Sequence, residues 1–477
     1  MRQLTRHDAS FLDADTIHAN SNVTFIQIYD QSTVPGGTLR FKTILAHIQG
    51  RLHRSGIFRS KLLRVPLELD EPYWVEDENF DLEYHVRHIA LPKPGDWRQF
   101  CIQASRIHAR ALDLHRPLWE IYVIEGLDSI TDLPAGSFAL LTKIHHAAID
   151  VESRNGFIEV LHDASCQPPE PEPPEPWFPE SAPGALPLLS RAGVHLLLAP
   201  AKLVNPLRRA APAALAFVRD LLRPEVHLAA TRFNAVVSPH RVFDTRRFLL
   251  EEFERIRGLA AGATVNDAVL AVCAGGLRRY LDAHGELPQA DLAAVVSLDI
   301  GADREPTAES RRIQFGTCVA DPVQRLASIH RQTSVAAPAA AQRGMPPPSC
   351  TVTHVPGPTA PVYLHGARMT YFSAILPIAD GMGLVFAVSG YDGRIVVSPT
   401  SCRELMPDPQ AFTQCVRDSF QEYLALADAL PAAKPRSERS RGSAADWHSQ
   451  SARTDRSAAT RLPAAKDGRR RSTAPRR

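Results

Sequence analysis

The stretch Lys143-Ile144-His145-His146-Ala147-Ala148-Ile149-Asp150-Val151 closes an apolar run, Phe138 to Ile144, that predicts a buried strand, and it opens a predicted helix. Side chains alternate between the two faces of a strand, so His145 and His146 cannot both enter one cleft while the strand persists. One histidine is therefore expected to catalyse and the other to support it. Asp150 stands where the helix would begin, and a carboxylate there can accept free backbone N–H groups. An imidazole at a rigid strand end is a good general base near neutral pH.

The motif also has simpler interpretations. On these residues alone, two histidines in a strand-to-helix turn with a capping aspartate are favoured. A metal site is a third interpretation, but adjacent histidines on a strand diverge, so no metal is expected. The sequence has no Gly-x-Ser-x-Gly elbow, no cysteine beside the histidines, no phosphate-binding loop and no convincing dinucleotide fingerprint. Kinases, nicotinamide-dependent enzymes and acyl-enzyme routes are therefore disfavoured.

Composition indicates the size of the core, the distribution of charge and the state of the cysteines. The chain has 477 residues, of which 44% are apolar, enough for two domains and additional segments. The net charge is +2, but residues 434–477 carry 13 Lys/Arg against 4 Asp/Glu, so the remainder is mildly acidic. The seven cysteines are odd in number and scattered without a Cys-x-x-Cys pair, which favours a reducing cytoplasm over disulfides or structural zinc.

The N-terminus carries charges and lacks an unbroken apolar segment, so no signal peptide is expected. No run of about 18 uncharged apolar residues occurs, as a membrane-spanning helix would require. These features predict a cytoplasmic protein, either soluble or peripheral on a membrane.

Changes of composition divide the chain into four parts. Residues 1–165 predict one α/β domain. Residues 166–230 combine a stiff proline-rich linker with an apolar, arginine-flanked helical connector, which either lies on an anionic bilayer or packs on the domains. Residues 231–431 predict a second domain. Residues 432–477 predict a disordered basic tail, and a solvated extension is favoured over nucleic-acid binding.

Local patterns predict individual elements. Asn22 to Tyr29 is a predicted strand, and residues 39–52, 96–114 and 407–430 show helical spacing. Asp392-Gly393 predicts a tight hairpin turn. The aromatic-rich residues 72–87 predict an irregular surface connection.

A further helix is predicted to begin after Thr264, which would act as its N-cap, and to end at Gly285. By spacing alone, Asn266 and Asp267 are ordinary polar residues of its first turn. In the first domain, Trp119 most simply anchors the core, and Glu120 is most simply either solvated or paired with a neighbouring arginine.

The histidine motif resembles the His-His-x-x-x-Asp-Gly signature of CoA-dependent acyltransferases of the chloramphenicol acetyltransferase type. The order of several further segments resembles the wax ester synthase/diacylglycerol acyltransferase family, and the resemblance covers nearly all of residues 4–430. These segments are Asp8-Ala9-Ser10-Phe11-Leu12, Phe58-Arg59, Phe80-Asp81, His85-Val86, Pro117-Leu118-Trp119-Glu120, Asn266-Asp267 and Thr353-His354-Val355-Pro356-Gly357-Pro358.

The resemblance implies an α/β (α+β) fold of two chloramphenicol-acetyltransferase-like domains, with mixed sheets covered by helices and a channel between them. It implies transfer of a long acyl chain from the co-substrate acyl-CoA to a lipid hydroxyl, at a membrane or lipid-droplet surface and without another cofactor. Diacylglycerol is the first expected acceptor and a fatty alcohol the second. By resemblance, His146 is the base, His145 supports it, Asp150 holds the loop by a salt bridge, and Asn266-Asp267 lie near the channel.

Three departures from the family pattern support an alternative. Val151 occupies the glycine position of the signature, His354 replaces an asparagine, and residues 301–320 are shortened. A β-branched residue disfavours the positive φ that glycine permits. The alternative is a lipid-binding relative with little or no catalysis.

Overall fold

The computed structural model describes residues 1–149, 156–167, 177–198, 231–297, 310–334 and 347–429. The helices are α1 Arg6–Ala14, α2 Phe41–Gln49, α3 Leu82–His85, α4 Trp97–Ala109, α5 Gly156–Leu161, α6 Ala185–Leu198, α7 Leu250–Arg257, α8 Val265–Ala283, α9 Pro322–Thr333 and α10 Pro409–Asp428. The first seven strands are β1 Arg2–Gln3, β2 Asn22–Asp30, β3 Ser60–Leu63, β4 Tyr73–Glu76, β5 Val86–Ala90, β6 Trp119–Glu125 and β7 Phe138–His145. The remaining strands are β8 Arg241–Phe243, β9 Arg246–Leu249, β10 Ala293–Ser297, β11 Arg311–Gln314, β12 Pro348–His354, β13 Tyr363–Leu364, β14 Ala367–Ile375, β15 Val385–Tyr391 and β16 Arg394–Cys402.

The strand that carries the histidines lies inside a six-stranded sheet of order β13-β14-β2-β7-β6-β5. Every residue of β7 is buried, as its continuous apolar pattern predicts. β2 runs antiparallel to β7 and places Asn22 opposite His145. Helix α4 packs on one face through Phe100, Ala104 and Ile107.

Two strands of this sheet come from the C-terminal half of the chain. β14 pairs with β2 over residues 368–375, and β13 continues the sheet beyond β14. The N-terminal sheet therefore includes residues assigned by sequence to the second domain. Backbone hydrogen bonds of these two strands connect the two halves of the chain.

The second sheet has seven strands, six in the order β11-β10-β12-β15-β16-β8 and β9 paired with β16. Its pairs β10–β12 and β12–β15 are parallel and its other pairs are antiparallel. The hairpin predicted at Asp392-Gly393 is confirmed, because both residues have positive φ, 49° and 70°, and connect β15 to β16. In the six-stranded sheet the pair β5–β6 is parallel and the others are antiparallel, so both large sheets are mixed. Two mixed sheets with helices packed on them confirm the predicted fold class.

The prediction for residues 72–87 was wrong in part. Tyr73, Trp74 and Val75 are buried in β4, which joins β1 and β3 in a three-stranded sheet. Residues 82–90 form α3 and β5. A four-residue strand between turns has too little periodicity to be recognised from its sequence.

The predicted start of the long second-half helix is confirmed. Thr264 accepts a hydrogen bond from the N–H of Asp267, and the Asp267 carboxylate accepts one from the N–H of Thr264. This reciprocal pair satisfies two N–H groups at the start of α8. The helix ends at Ala283, before Gly285 with φ of 67°.

Helix α6 lies within the predicted connector and has two apolar sides. Leu188 and Ala192 are buried against Val65, Tyr73 and Val75 of the small sheet and its flank. Leu186 and Val194 are exposed. The described part of the connector therefore packs on the first domain and also presents apolar side chains to solvent.

Several sequence predictions fall outside the described residues. These include residues 168–176 and 199–230 of the predicted linker and connector, and the predicted tail at 432–477. Among the described helices, none combines the length and apolar character needed to span a bilayer.

Candidate active site

The two histidines lie at the end of β7, where the strand gives way to a 3₁₀ turn at His146–Ala148. The N–H of His145 donates to the carbonyl of Leu118 at 3.0 Å, and the N–H of His146 donates to the carbonyl of Ser21 at 2.8 Å. Backbone hydrogen bonds from two neighbouring segments therefore fix the position of this turn.

His145 is 1% exposed, and both of its ring nitrogens are engaged. Nδ1 accepts a hydrogen bond from the N–H of Ala147 at 3.1 Å, and Nε2 lies 3.0 Å from Oδ2 of Asp15. A nitrogen that accepts from an amide has no proton, so Nε2 carries the proton and donates to Asp15. His145 therefore locks the turn that carries His146, and it cannot ligate a metal without breaking one of these bonds.

Asp15, just beyond the end of α1, completes this support. Its Oδ1 accepts from the N–H of Ser21 at 2.7 Å while Oδ2 accepts from His145. Burial raises the pKa of the Asp15 carboxyl, but the hydrogen bond from His145, its electrostatic interaction with that ring and the bonds from Ser21 outweigh it and leave the pKa below its ordinary value. Asp15 is 130 residues from His145 in sequence, and no spacing rule links them.

His146 is half-buried, and its ring stacks on the phenyl ring of Phe11 with centroids 3.8 Å apart and planes 19° from parallel. Burial lowers the pKa of His146, a hydrogen bond to its own backbone raises it in part, and the nearby His145 lowers it further. The net pKa lies below its ordinary value, so the ring is neutral at pH 7. A neutral imidazole can accept a proton.

The segment before β6 is part of the core beneath the histidines. Pro117 and Leu118 are buried, and Leu118 provides the carbonyl that accepts from His145. Trp119 is 1% exposed, donates its indole N–H to the carbonyl of Phe58 at 3.0 Å and stacks on His85. The prediction that Trp119 anchors the core is confirmed.

Glu120 is the centre of a buried charged cluster. Its carboxylate lies 2.8 Å from Nζ of Lys143 and 3.3 Å from the guanidinium of Arg87, and it accepts from the hydroxyl of Tyr122 at 3.0 Å. Of the two alternatives expected for Glu120, the arginine pair is confirmed, and solvation is wrong because the residue is 6% exposed. Lys143, fully buried two residues before His145, is the partner that the sequence did not reveal.

The Asn266-Asp267 segment lies at the start of α8. Asn266 is half-buried, and Asp267 is 1% exposed. Besides its capping role, the Asp267 carboxylate lies 2.9 Å from Nδ1 of His330 and accepts from the hydroxyl of Thr333 at 2.5 Å. These bonds join the start of α8 to the end of α9, so the contacts of Asp267 are those of a structural residue.

Asp150 and Val151 lie outside the described residues, so the salt bridge predicted for Asp150 and the effect of valine stay predictions. The predicted channel also stays a prediction. Within the described ranges, no group of three or more His, Cys, Asp or Glu side chains is arranged to hold a metal ion.

Comparisons with known proteins agree with the sequence motifs. The family model described as the wax ester synthase/diacylglycerol acyltransferase catalytic domain matches residues 4–269, and the model for the C-terminal domain of the same family matches residues 312–423. A putative diacylglycerol O-acyltransferase from Mycobacterium tuberculosis is 30% identical over 475 residues, covering 90% of this chain and 92% of the relative. A second relative of the same description, from Mycobacterium bovis, is 31% identical over 386 residues, covering 73% of this chain and 83% of its own.

A solved structure is also similar. The wax ester synthase/diacylglycerol acyltransferase from Marinobacter aquaeolei VT8 superposes with a TM-score of 0.65 at 25% identity, covering 89% of this chain and 100% of that one.

Proposed function

Since the chain belongs to the wax ester synthase/diacylglycerol acyltransferase family, we propose that it moves a long acyl chain from acyl-CoA to a lipid hydroxyl. Diacylglycerol, giving triacylglycerol, is the first acceptor we propose, and a fatty alcohol, giving a wax ester, is the second. The observation that carries this proposal is the half-buried, neutral ring of His146 on a turn locked by His145 and Asp15.

In the proposed reaction, His146 accepts the proton of the acceptor hydroxyl as its oxygen attacks the thioester carbonyl. The tetrahedral intermediate then expels the CoA thiolate, and the imidazolium returns the proton to that sulfur. The acyl group passes to the acceptor oxygen and the proton passes to the CoA sulfur, so the reaction needs no nucleophilic side chain. His145 and Asp15 hold the turn, and acyl-CoA is a co-substrate rather than a resident cofactor.

A panel of acceptors tests the proposal. Purified protein is given palmitoyl-CoA with diacylglycerol, long-chain alcohols or short amines, and the lipid products are identified by mass spectrometry. Triacylglycerol or wax ester formed together with free CoA is the expected result. Acylated amines in place of esters, or no acylated product with any acceptor, would refute it.

Asp15→Ala is expected to lower kcat about 10- to 100-fold with little change in KM, because the turn that carries His146 loses its anchor and misplaces the base. Asp15→Asn keeps an oxygen that can accept from His145 and should retain more activity. Initial rates over a range of palmitoyl-CoA concentrations separate kcat from KM. The control is Asp13→Ala, at an exposed position in the last turn of α1. Equal kcat for Asp15→Ala and wild type would rule out the positioning role.

Phe11→Ala is expected to move the acid limb of the pH–rate profile towards higher pH. The base must be neutral, so wild-type activity should rise with pH, and the midpoint of the rise should lie below 6.5, the ordinary pKa of histidine, because the pKa of His146 is lowered. Without the stacked ring, water reaches the imidazole, burial lowers its pKa less, and the midpoint rises. The measurement is kcat between about pH 5 and 8. Phe178→Ala, at an exposed phenylalanine, is the control, and the same midpoint in all three proteins contradicts the prediction.

The second candidate is a lipid-binding relative with weak or no catalysis, which Val151 in the glycine position of the signature favours. Release of CoA from palmitoyl-CoA in the presence of diacylglycerol distinguishes the two candidates when wild type and Val151→Gly are compared. Turnover by the wild type supports the enzyme, whereas turnover gained only in the variant supports the degenerate relative.

We also propose that the protein works in the cytoplasm at a membrane or lipid-droplet surface, since its proposed acceptors are lipids. The exposed Leu186 and Val194 of α6 support contact with such a surface. Co-sedimentation with diacylglycerol-containing vesicles tests this, and failure of Leu186→Ser/Val194→Ser to lower the bound fraction would contradict the role of α6.

A further inference from the structure

A cavity of about 990 Å³ lies away from the histidines, between the start of α4, residues 129–133, β9, and α10. Tyr371, which lines it, lies opposite Ile28 of β2, and Ile28 lies opposite Ala139 of β7. Ala139 is six residues from His145 along the strand, or roughly 20 Å at about 3.3 Å per residue. The volume of the cavity is in the range of small-molecule sites.

The cavity is rich in arginine. Its lining includes Arg98, Arg246, Arg247, Arg394 and Arg417. The carboxylates that line it are Asp96, Asp132 and Glu252, and two of them are already engaged: Asp96 accepts from the N–H of Gln99 at 2.8 Å, and Glu252 accepts from the N–H of Leu249 at 3.2 Å. The cavity therefore has an excess of positive charge.

Most of these guanidinium groups lack a counter-ion. Within the described part of the chain, Arg98, Arg247, Arg394 and Arg417 form no ion pair with a carboxylate. Arg246 pairs with Asp244 at 3.0 Å, but its Nε is buried without a hydrogen-bond partner. Like charges gathered in one concave site repel one another, and a bound anion removes that repulsion.

Two of the arginines face the same way. In the β9–β16 pair, Arg394 lies opposite Leu249, and Leu249 is on the same face of β9 as Arg247, because alternate strand residues share a face. The two residues are therefore diagonal neighbours on one face, a placement from which two guanidinium groups can reach one anion with several acceptor oxygens.

Aromatic rings complete the lining. The indole N–H of Trp97 donates to Asp244 at 2.7 Å, and the hydroxyl of Tyr371 is hydrogen-bonded to Thr245 at 2.7 Å. Their polar atoms are satisfied within the protein. Tyr371 is buried, and the half-buried Trp97 can offer a ligand apolar ring surface.

We propose that this cavity binds a phosphate-bearing small molecule, with Arg247 and Arg394 as its principal contacts. A guanidinium matches phosphate oxygens with two parallel hydrogen bonds, and the ring of Trp97 can contact the rest of the ligand. The same chemistry has two sources in the surroundings of such an enzyme: the nucleotide part of CoA and the head group of an anionic phospholipid. The site is separate from the proposed base and does not depend on its chemistry.

Binding to the full-length protein tests the site with three probes: adenosine 3′,5′-bisphosphate and inorganic phosphate by calorimetry, and phosphatidic acid in phosphatidylcholine vesicles by co-sedimentation. We expect Arg247→Gln/Arg394→Gln to weaken binding of at least one probe about tenfold or more, and salt to weaken wild-type binding. Arg331→Gln/Arg403→Gln, at two exposed arginines outside the cavity, should bind as the wild type does. Arg417→Gln, at an exposed helix position, provides a milder cavity variant if the double variant melts early.

If the cavity variants lose binding of the bisphosphate alone, the site is assigned to a nucleotide. If they lose binding of the vesicles alone, it is assigned to a lipid head group. No binding of any probe by the wild type, or equal binding by the wild type and the cavity variants, overturns the proposal. Binding without acyl transfer would refute only the proposed function, and acyl transfer without binding would refute only this site.

Discussion

Alanine at position 146 is expected to lower kcat for acyl transfer about 100-fold or more, the scale on which loss of a general base acts. His146 is the ring that the turn after β7 presents, and burial keeps it neutral and able to accept a proton. The acyl-CoA thioester is not bound through this ring in the proposed reaction, so KM should change much less than kcat. Initial rates with palmitoyl-CoA and the acceptor that the panel identifies measure both constants.

His7→Ala is the matched control for this variant. His7 is exposed on α1 and contacts Phe11 edge-on, with centroids 5.1 Å apart, so it shares the surroundings of the site without occupying the position of the base. Thermal melting of the wild type, His146→Ala and His7→Ala establishes that all three proteins are folded. A folded His146→Ala protein with wild-type kcat would remove this residue from the mechanism.

Glu120→Ala is expected to lower the free energy of unfolding by about 3–5 kcal/mol, the cost of leaving a buried charge without its partner. Lys143 is fully buried, and burial lowers the pKa of its ammonium group while Glu120, 2.8 Å away, raises it in part. Removing the carboxylate deprives this ammonium group of its counter-ion and leaves the hydroxyl of Tyr122 without its acceptor. Equilibrium unfolding in urea, followed by circular dichroism, gives the free energy.

Glu125→Ala provides the comparison on the same strand. Glu125 is exposed and pairs with His88 at 3.1 Å, and exposed ion pairs contribute only about 0–1 kcal/mol. If both variants lose a similar amount of unfolding free energy, the buried cluster stabilises the fold no more than an exposed ion pair does.

The parts of the fold that were predictable from sequence are those fixed by neighbouring residues. The continuous apolar run of β7, the Asp392-Gly393 turn and the Thr264 cap each depend on a few consecutive positions, and each is confirmed. Trp119 in the core followed from its size and apolar character.

The parts that were not predictable depend on contacts between distant residues. Asp15 supports His145 across 130 positions, and β14 enters the first sheet beside β2 although more than 300 residues separate them. Lys143 could be read as a polar residue at a strand end, yet it is buried against Glu120. Periodicity records which face of an element is buried and contains no information on which element covers it.

The fate of the acyl group in a single turnover tests the central claim most directly. Excess enzyme is mixed with radiolabelled palmitoyl-CoA and the accepted lipid alcohol, and the label in protein, free lipid and remaining thioester is followed with time. If one imidazole promotes direct transfer, the label passes from palmitoyl-CoA to the lipid ester without accumulating on the protein, and His146→Ala slows this step about 100-fold or more. Label bound covalently to the protein, or label left in palmitoyl-CoA by the folded wild type, would contradict the account.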